Sequence, residues 1–274
     1  MIEIKAADVA KLRKMTGAGM MDCKKALQEA EGDYARAQDI IREKGKLVAN
    51  KRADRTATEG VVVTHVAGTK GYMVCLACET DFVAKNADFG ASAKAILDIA
   101  VKNDVPDMET LLATKNEAGT TVADLVTEKS GQTGEKVELP FYARVEAPYI
   151  AQYVHINNKL GTLVGFNKEV PYEVAHDVAM QATAMAPVSI DASDCPAEII
   201  AKEREIGREQ ARLDGKPEAM LDKIAEGKVN KFLKENTLLN QSLVKNPKLT
   251  VGQFIKEADK EATVIAYKRF SLND

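Results

Sequence analysis

Tryptophan is absent from this chain of 274 residues, and aromatic residues make up only 5% of it. Single-strand nucleic-acid binding relies on aromatic faces for base stacking, so that class is disfavoured. Long apolar runs are missing too. None approaches the roughly 20 residues needed to span a bilayer, and the opening Met1-Ile2-Glu3-Ile4-Lys5 does not read as a signal peptide. The expectation is a soluble, cytoplasmic protein with no membrane partner. Cysteine is sparse: Cys23, Cys75, Cys78 and Cys195 are too thinly spread for a disulfide framework and read as reduced thiols. There is no basic excess, since 38 Lys and Arg against 41 Asp and Glu leave a net charge of −3. Coating nucleic acid draws on a dense basic surface, so no direct nucleic-acid binding is expected. The histidines are His65, His155 and His176, and no two have metal-ligand spacing.

Familiar chemistry is also missing. Cys75-Leu76-Ala77-Cys78 lies inside a strand pattern, whereas redox motifs put such a pair at a helix start. Gly131-Gln132-Thr133-Gly134-Glu135-Lys136-Val137 has the flavour of a P-loop with the wrong spacing and no Ser or Thr after the lysine. No nucleophile-elbow motif supports a catalytic triad. An enzyme with its own active site is the weaker class, and no cofactor or metal is expected.

What is present has the normal globular share of hydrophobic residues, 45%, over a length that suits two or more units. Residues 1–45 read as three short helices. Val9, Leu12 and Met15 have helical spacing, and Thr16-Gly17-Ala18-Gly19 breaks the first helix. Asp22 caps a second that buries Ala26, Leu27 and Ala30. Asp33 caps a third that carries Ala37, Ile40 and Ile41 and stops at Gly45. Residues 46–58 read as a basic tether. From Gly60 the period becomes strand-like. Val61–Val66 and Tyr72–Cys78 form a hairpin, helical patterns follow from Ala84, and 136–146 alternates again, with Pro140 marking an edge or bulge. A strand–turn–strand–helix order then repeats, with Tyr149–Asn157, Leu160–Asn167 and a helix opened by Pro171. The expected architecture is α+β with antiparallel strands: a core subdomain over 59–146, a second over 147–190 and 237–262, an inserted antiparallel helical hairpin over 191–236, and a final strand and tail over 263–274. The hairpin's first helix carries Ile199, Ile206 and Leu213 near heptad spacing and its second carries Met220, Ile224, Val229 and Phe232, a stripe that must pack on itself, on the body or on another chain.

Glu79-Thr80-Asp81-Phe82-Val83-Ala84-Lys85-Asn86 is the most informative stretch. It joins a strand pattern to a helix pattern, and such turns display functional side chains. An aromatic ring beside a carboxylate can push apart packed elements of a partner and disturb a cation or phosphate there. The bare pattern also allows Phe82 as a core anchor, Asp81 as a helix cap, and Met20-Met21 as a plug for the three-helix core.

Two segments, Thr16–Leu27 (TGAGMMDCKKAL) and Thr80–Asn86 (TDFVAKN), resemble the bacterial elongation factor Ts family. Gly215-Lys216-Pro217 at the hairpin tip and Thr250-Val251-Gly252-Gln253 near the end extend the likeness over essentially the whole chain. The resemblance implies a guanine-nucleotide exchange factor for the GTPase elongation factor Tu, acting in translation elongation without covalent chemistry of its own. It implies a ubiquitin-associated-like N-terminal module, and a coiled-coil hairpin through which self-association over 191–236 would run. It makes Thr80, Asp81, Phe82 and Val83 the wedge that dislodges the partner's magnesium ion, and it makes Met20, Met21 and His155 docking residues. The rival readings are an RNA- or ribosome-associated helical adaptor without exchange activity, and a thiol-dependent enzyme using Cys75 and Cys78.

Overall fold

The computed structural model describes residues 4–272. It is α+β with antiparallel sheets, and its Cα positions separate into two compact units. Among the described residues, the first unit holds those up to Val63, Val74–Ala143 and Leu272, and the second holds Thr64–Met73 and Arg144–Ser271.

The first unit opens with helices α1 (Ala6–Thr16), α2 (Met20–Glu29) and α3 (Tyr34–Lys51). Their common core is Val9, Leu12, Ala18, Cys23, Ala26, Leu27, Ala30 and Ala37, mostly small side chains that let short helices approach closely. α1 ends at Gly17, whose φ of +66° only glycine adopts at no cost, and whose N–H donates back to the Arg13 carbonyl at 2.7 Å. Asp33 caps α3 as expected, accepting from the N–H groups of Ala35 and Arg36 at 2.8 and 3.1 Å. Asp22 does not cap α2. Gly19 occupies that position, and Asp22 sits within the first turn, where it pairs with Lys44.

Strands β1 (Glu59–Ala67) and β2 (Lys70–Cys78) follow as a hairpin. After them come the single turn α4 (Asp81–Ala84), then α5 (Ala87–Lys102), α6 (Met108–Ala113), α7 (Val122–Thr133) and strand β3 (Glu138–Glu146). The sheet order is β1-β2-β3, so β2 is central and buried from Gly71 to Cys78, while Pro140 falls on an edge strand, where a missing N–H is tolerated. α3 does not stop at Gly45 but runs on to Lys51, through the first residues of the expected tether. Gly45 is instead a crossing point. A Cβ added to Gly131 of α7 would lie 2.5 Å from the Gly45 Cα, so the two backbones meet glycine on glycine.

The second unit pairs β4 (Tyr149–Val154) antiparallel with β5 (Leu160–Phe166), in register from Tyr149 opposite Phe166 to Val154 opposite Gly161. Helix α8 (Tyr172–Met185) follows, with Pro171 as its cap residue rather than its first turn. The hairpin helices α9 (Ala197–Leu213) and α10 (Glu218–Asn236) come next. The chain then closes with β6 (Ser242–Leu243), β7 (Asn246–Thr250), α11 (Val251–Ala258) and β8 (Val264–Ser271), the last antiparallel to β5. Val164, Phe166, Val178, Leu238, Val251 and Ile255 are at the centre of this unit's core.

The hairpin seam takes up only part of the expected apolar stripe, Val229 among it. Gly207 and Ala211 of α9 and Leu221, Ala225 and Val229 of α10 are buried, while Ile206, Leu213 and Met220 are exposed. A Cβ on Gly207 would stand 3.3 Å from the Ala225 Cα, so small residues bring the helices together there, with Leu221 and Val229 buried alongside. Among the described residues, no helix is long and apolar enough to cross a membrane.

Candidate functional site

Strand β2 delivers the chain from a fully buried run to a half-buried pair, Glu79 and Thr80. Thr80 has extended backbone, φ −124° and ψ 152°, and its hydroxyl accepts from the Val83 N–H, which makes it the cap of α4. Asp81 is therefore the first helical residue rather than the cap. Ala84 is buried, and Phe82, two residues earlier, is 85% exposed. Asn86 then caps α5 by accepting from the Asp88 N–H at 2.9 Å, and Phe89 anchors that helix in the interior. The expected single helix from Ala84 is thus two, each with its own cap. The result is a large apolar ring standing in solvent on one stiffly bracketed turn.

Beside the ring, the Asp81 carboxylate accepts from Lys85 Nζ at 2.6 Å, one helical turn on. The Lys85 ammonium holds the Asp81 carboxyl below the usual carboxylate range, and Asp81 in turn raises Lys85. Asp81 is negative at neutral pH and can exchange its lysine for a donor or cation presented from outside.

The turn is held from behind by two glutamates. Glu135, just past α7, accepts from the N–H groups of Glu79 and Thr80, each at 3.1 Å, and from the Thr80 hydroxyl at 2.6 Å. Glu79 answers by accepting from the Lys136 N–H at 2.6 Å and from Arg52 Nη1 at 2.9 and 3.1 Å. Arg52 is the residue that ends α3, so the third N-terminal helix is tied to the strand exit. None of these partners was legible in the sequence. Arg52 fell in the segment read as a tether, Glu135 in a segment notable only as a failed P-loop, and the pairs are separated by 27 and 55 or more residues. The only local signal was Thr80 three residues ahead of an N–H that needs an acceptor.

Met20 and Met21 open α2 and are 51% and 64% exposed, so they do not plug the three-helix core. The face that packs is Cys23, Ala26 and Leu27. The loop that leads to α2 is fixed where the Gln132 side-chain amide donates to the Thr16 carbonyl at 2.5 Å. Arg13 and Gly17 line one open cleft together with Val83, Asn86 and Phe89, so within the first unit the approach to α2 and the α4–α5 junction share a surface. Val83 is half-buried.

His155 belongs to the second unit, just beyond β4, and is exposed. Its Nδ1 lies 3.4 Å from the Tyr153 hydroxyl, and the Tyr153 ring meets His176 edge-on at 5.7 Å. Tyr153, His155, Leu160, Met180 and Val244 line an apolar hollow, with Lys245 donating to Asp177 at 2.5 Å at its side. Among the described residues, no group of three or more His, Cys, Asp or Glu is placed to hold a metal ion. The turn carries no nucleophile–base pair. What it can do chemically is wedge, repel and accept.

The family model described as elongation factor TS matches residues 79–274. Over 270 residues the chain is 47% identical to elongation factor Ts of Azobacteroides pseudotrichonymphae genomovar. CFP2, covering 97% of each. It is 46% identical over 266 residues to elongation factor Ts of Porphyromonas gingivalis, again covering 97% of each. It is 45% identical over 278 residues to elongation factor Ts of Cytophaga hutchinsonii, covering 100% of both.

Proposed function

The chain belongs to the elongation factor Ts family, and from that premise we propose that it acts in translation elongation as a guanine-nucleotide exchange factor for elongation factor Tu, dislodging the partner's magnesium ion and thereby promoting GDP release. The observation that carries this reading is the Phe82 ring, 85% exposed on a bracketed turn with an ionised Asp81 beside it. Exposing a phenylalanine forgoes the stabilisation that its burial would bring, about 1.5–3 kcal/mol. An exposed ring on a braced turn next to a carboxylate suits insertion into another protein.

The partner's Mg²⁺ demands near-ideal octahedral oxygen geometry at about 2.0–2.1 Å. A small displacement of an element bearing one of its ligands is enough to release it. The diphosphate then loses its main neutralising charge and is held more weakly. Phe82 supplies the displacement by packing between partner elements. Asp81, released from Lys85, adds negative charge or captures a donor, while Thr80 and Val83 hold the turn. Met20 and Met21, flexible and polarizable, suit an adaptable docking surface. His155 at its hollow serves a second, separate contact. The proposed chemistry on this chain is non-covalent throughout. Self-association through the hairpin would use the exposed Ile206, Leu213 and Met220.

The test is release of labelled GDP from elongation factor Tu with purified proteins. Phe82→Ala should slow release at least about tenfold, equivalent to about 1.4 kcal/mol, and leave the thermal midpoint of the free factor nearly unchanged. Asp81→Ala should have a smaller effect. An unaltered release rate in Phe82→Ala would remove the wedge from the mechanism.

A further inference from the structure

We propose that Glu135 is a positioning residue for nucleotide exchange, presenting Phe82 to the partner in a ready-made orientation; the inference rests on the reading of Phe82 as the wedge. A ring that is 85% exposed has almost no packing of its own to fix where it points. The direction in which its Cα–Cβ bond leaves the chain is set by the backbone of α4, and a helix of four residues cannot hold itself in water. Something outside the turn must hold it, and beside the Cys78 thiol, which donates to the Thr80 carbonyl at 3.3 Å, three hydrogen bonds at its start converge on one carboxylate.

An ionised carboxylate only accepts hydrogen bonds, and it has room for several donors. Oε2 of Glu135 takes the two consecutive N–H groups of Glu79 and Thr80, both at 3.1 Å, where the chain leaves β2. Oε1 takes the Thr80 hydroxyl at 2.6 Å. That last bond has a directional consequence. A hydroxyl has one proton, and once it is given to Glu135 the remaining lone pairs are free to accept from the Val83 N–H, 3.5 Å away. Glu135 thus sets the polarity of the cap as well as the position of the strand exit. The clasp is reciprocal, because Glu79 accepts from the Lys136 N–H at 2.6 Å. Charge-assisted bonds of this kind are shorter and roughly twice as strong as neutral ones. Holding the turn before the encounter removes an ordering cost that would otherwise fall on the complex.

Labelled-GDP release from elongation factor Tu, titrated with wild-type factor, Glu135→Ala, Glu135→Gln, Phe82→Ala and the Phe82/Glu135 double variant, tests this. In Glu135→Ala the plateau rate at saturating factor should fall about tenfold, while the half-saturating concentration moves much less, because docking elsewhere is intact. Glu135→Gln should lie between, since its carbonyl oxygen can still accept from the backbone but its amide hydrogens oppose the Thr80 hydroxyl. In the Phe82→Ala background the Glu135→Ala change should have little further effect. Hydrogen exchange of the free factor should quicken at the Thr80 and Val83 amides in Glu135→Ala and stay unchanged in α1–α3. A folded Glu135→Ala with a wild-type plateau overturns the proposal, as do additive losses in the double variant. If Glu135→Ala does not fold, Glu135→Gln gives the same comparison with a smaller loss. If Phe82→Ala leaves exchange intact, the wedge reading fails by itself, and the hydrogen-exchange result still reports whether Glu135 orders the turn.

Discussion

On the single turn α4, Phe82 faces solvent and Ala84 is buried. Two residues rotate a helix by about 200°, so once Ala84 packs inward Phe82 must face away. Hydropathy alone would bury Phe82 as readily as Ala84, which is why the bare pattern allowed Phe82 as a core anchor. Cys75 and Cys78 follow the usual preference, since both are buried in the central strand. Burial, with the charge of Glu135 adding to it, pushes the Cys78 thiol up to about 12, and burial pushes Cys75 up as well. The thiolate is the reactive form. A rise from the ordinary value of 9.0 to about 12 cuts the Cys78 thiolate fraction at pH 8 by about a thousandfold. Iodoacetamide at pH 8, followed by mass spectrometry, should therefore leave both cysteines unmodified in the folded protein and label both in urea. The sign for stability runs the same way. Folding favours the neutral thiols fully below pH 9.0 and loses that contribution as the pH climbs toward 12. Rapid labelling of either thiol in the folded protein would revive a thiol-dependent activity.

At the scale of elements, the crossing of α3 and α7 gives a paired prediction. A Cβ on Gly131 would stand 2.5 Å from the Gly45 Cα, closer than atoms tolerate, whereas a Cβ on Gly45 would meet nothing nearer than the Thr127 carbonyl at 3.4 Å. Gly131→Ala must push α3 off α7 and should destabilise by about 1–3 kcal/mol. Gly45→Ala should be neutral, or stabilising by up to about 1 kcal/mol from helix propensity. Urea unfolding of the two variants checks both, and equal losses would show that the crossing is not as tight as described. Gly45 also marks where the sequence could be read and where it could not. A glycine that ends a helix and one that lets two helices cross look alike along the chain, and only the partner, Gly131, tells them apart. The two strand–turn–strand–helix runs were legible because alternation is local, and Pro140 at an edge followed from a missing donor. The hairpin itself was legible from its length and its Asp214–Pro217 turn, but its seam was legible only in part, at Val229. Large residues dominate a pattern, yet Gly207 and Ala211 win the interior because they permit closer approach. For the site, the exposed segment was legible as a displayed turn. Its support was not, since Glu135 and Arg52 reach it from distant positions that carry no local signal.

For the whole molecule, the near balance of charge, −3 overall, leaves little for a polyanion to hold, and Arg52 of the expected basic tether is already committed to Glu79. A protein partner is the better match, and for such a partner thermodynamics constrains the result. If the factor weakens GDP binding by some ratio, GDP with Mg²⁺ must weaken binding of the factor by the same ratio. A factor that met both forms equally would shift nothing. Four dissociation constants test this: factor for nucleotide-free and for GDP-loaded elongation factor Tu, and GDP for the GTPase with and without factor. The two ratios should agree, and each tenfold of coupling corresponds to about 1.4 kcal/mol of contact made only with the nucleotide-free form. Phe82→Ala should shrink that ratio chiefly by weakening binding to the nucleotide-free form. Affinity for the loaded form, which the proposed docking residues Met20, Met21 and His155 would carry, should change little. Equal loss of affinity for both forms would mean that the ring is a docking contact and that the discrimination between states lies elsewhere on this chain.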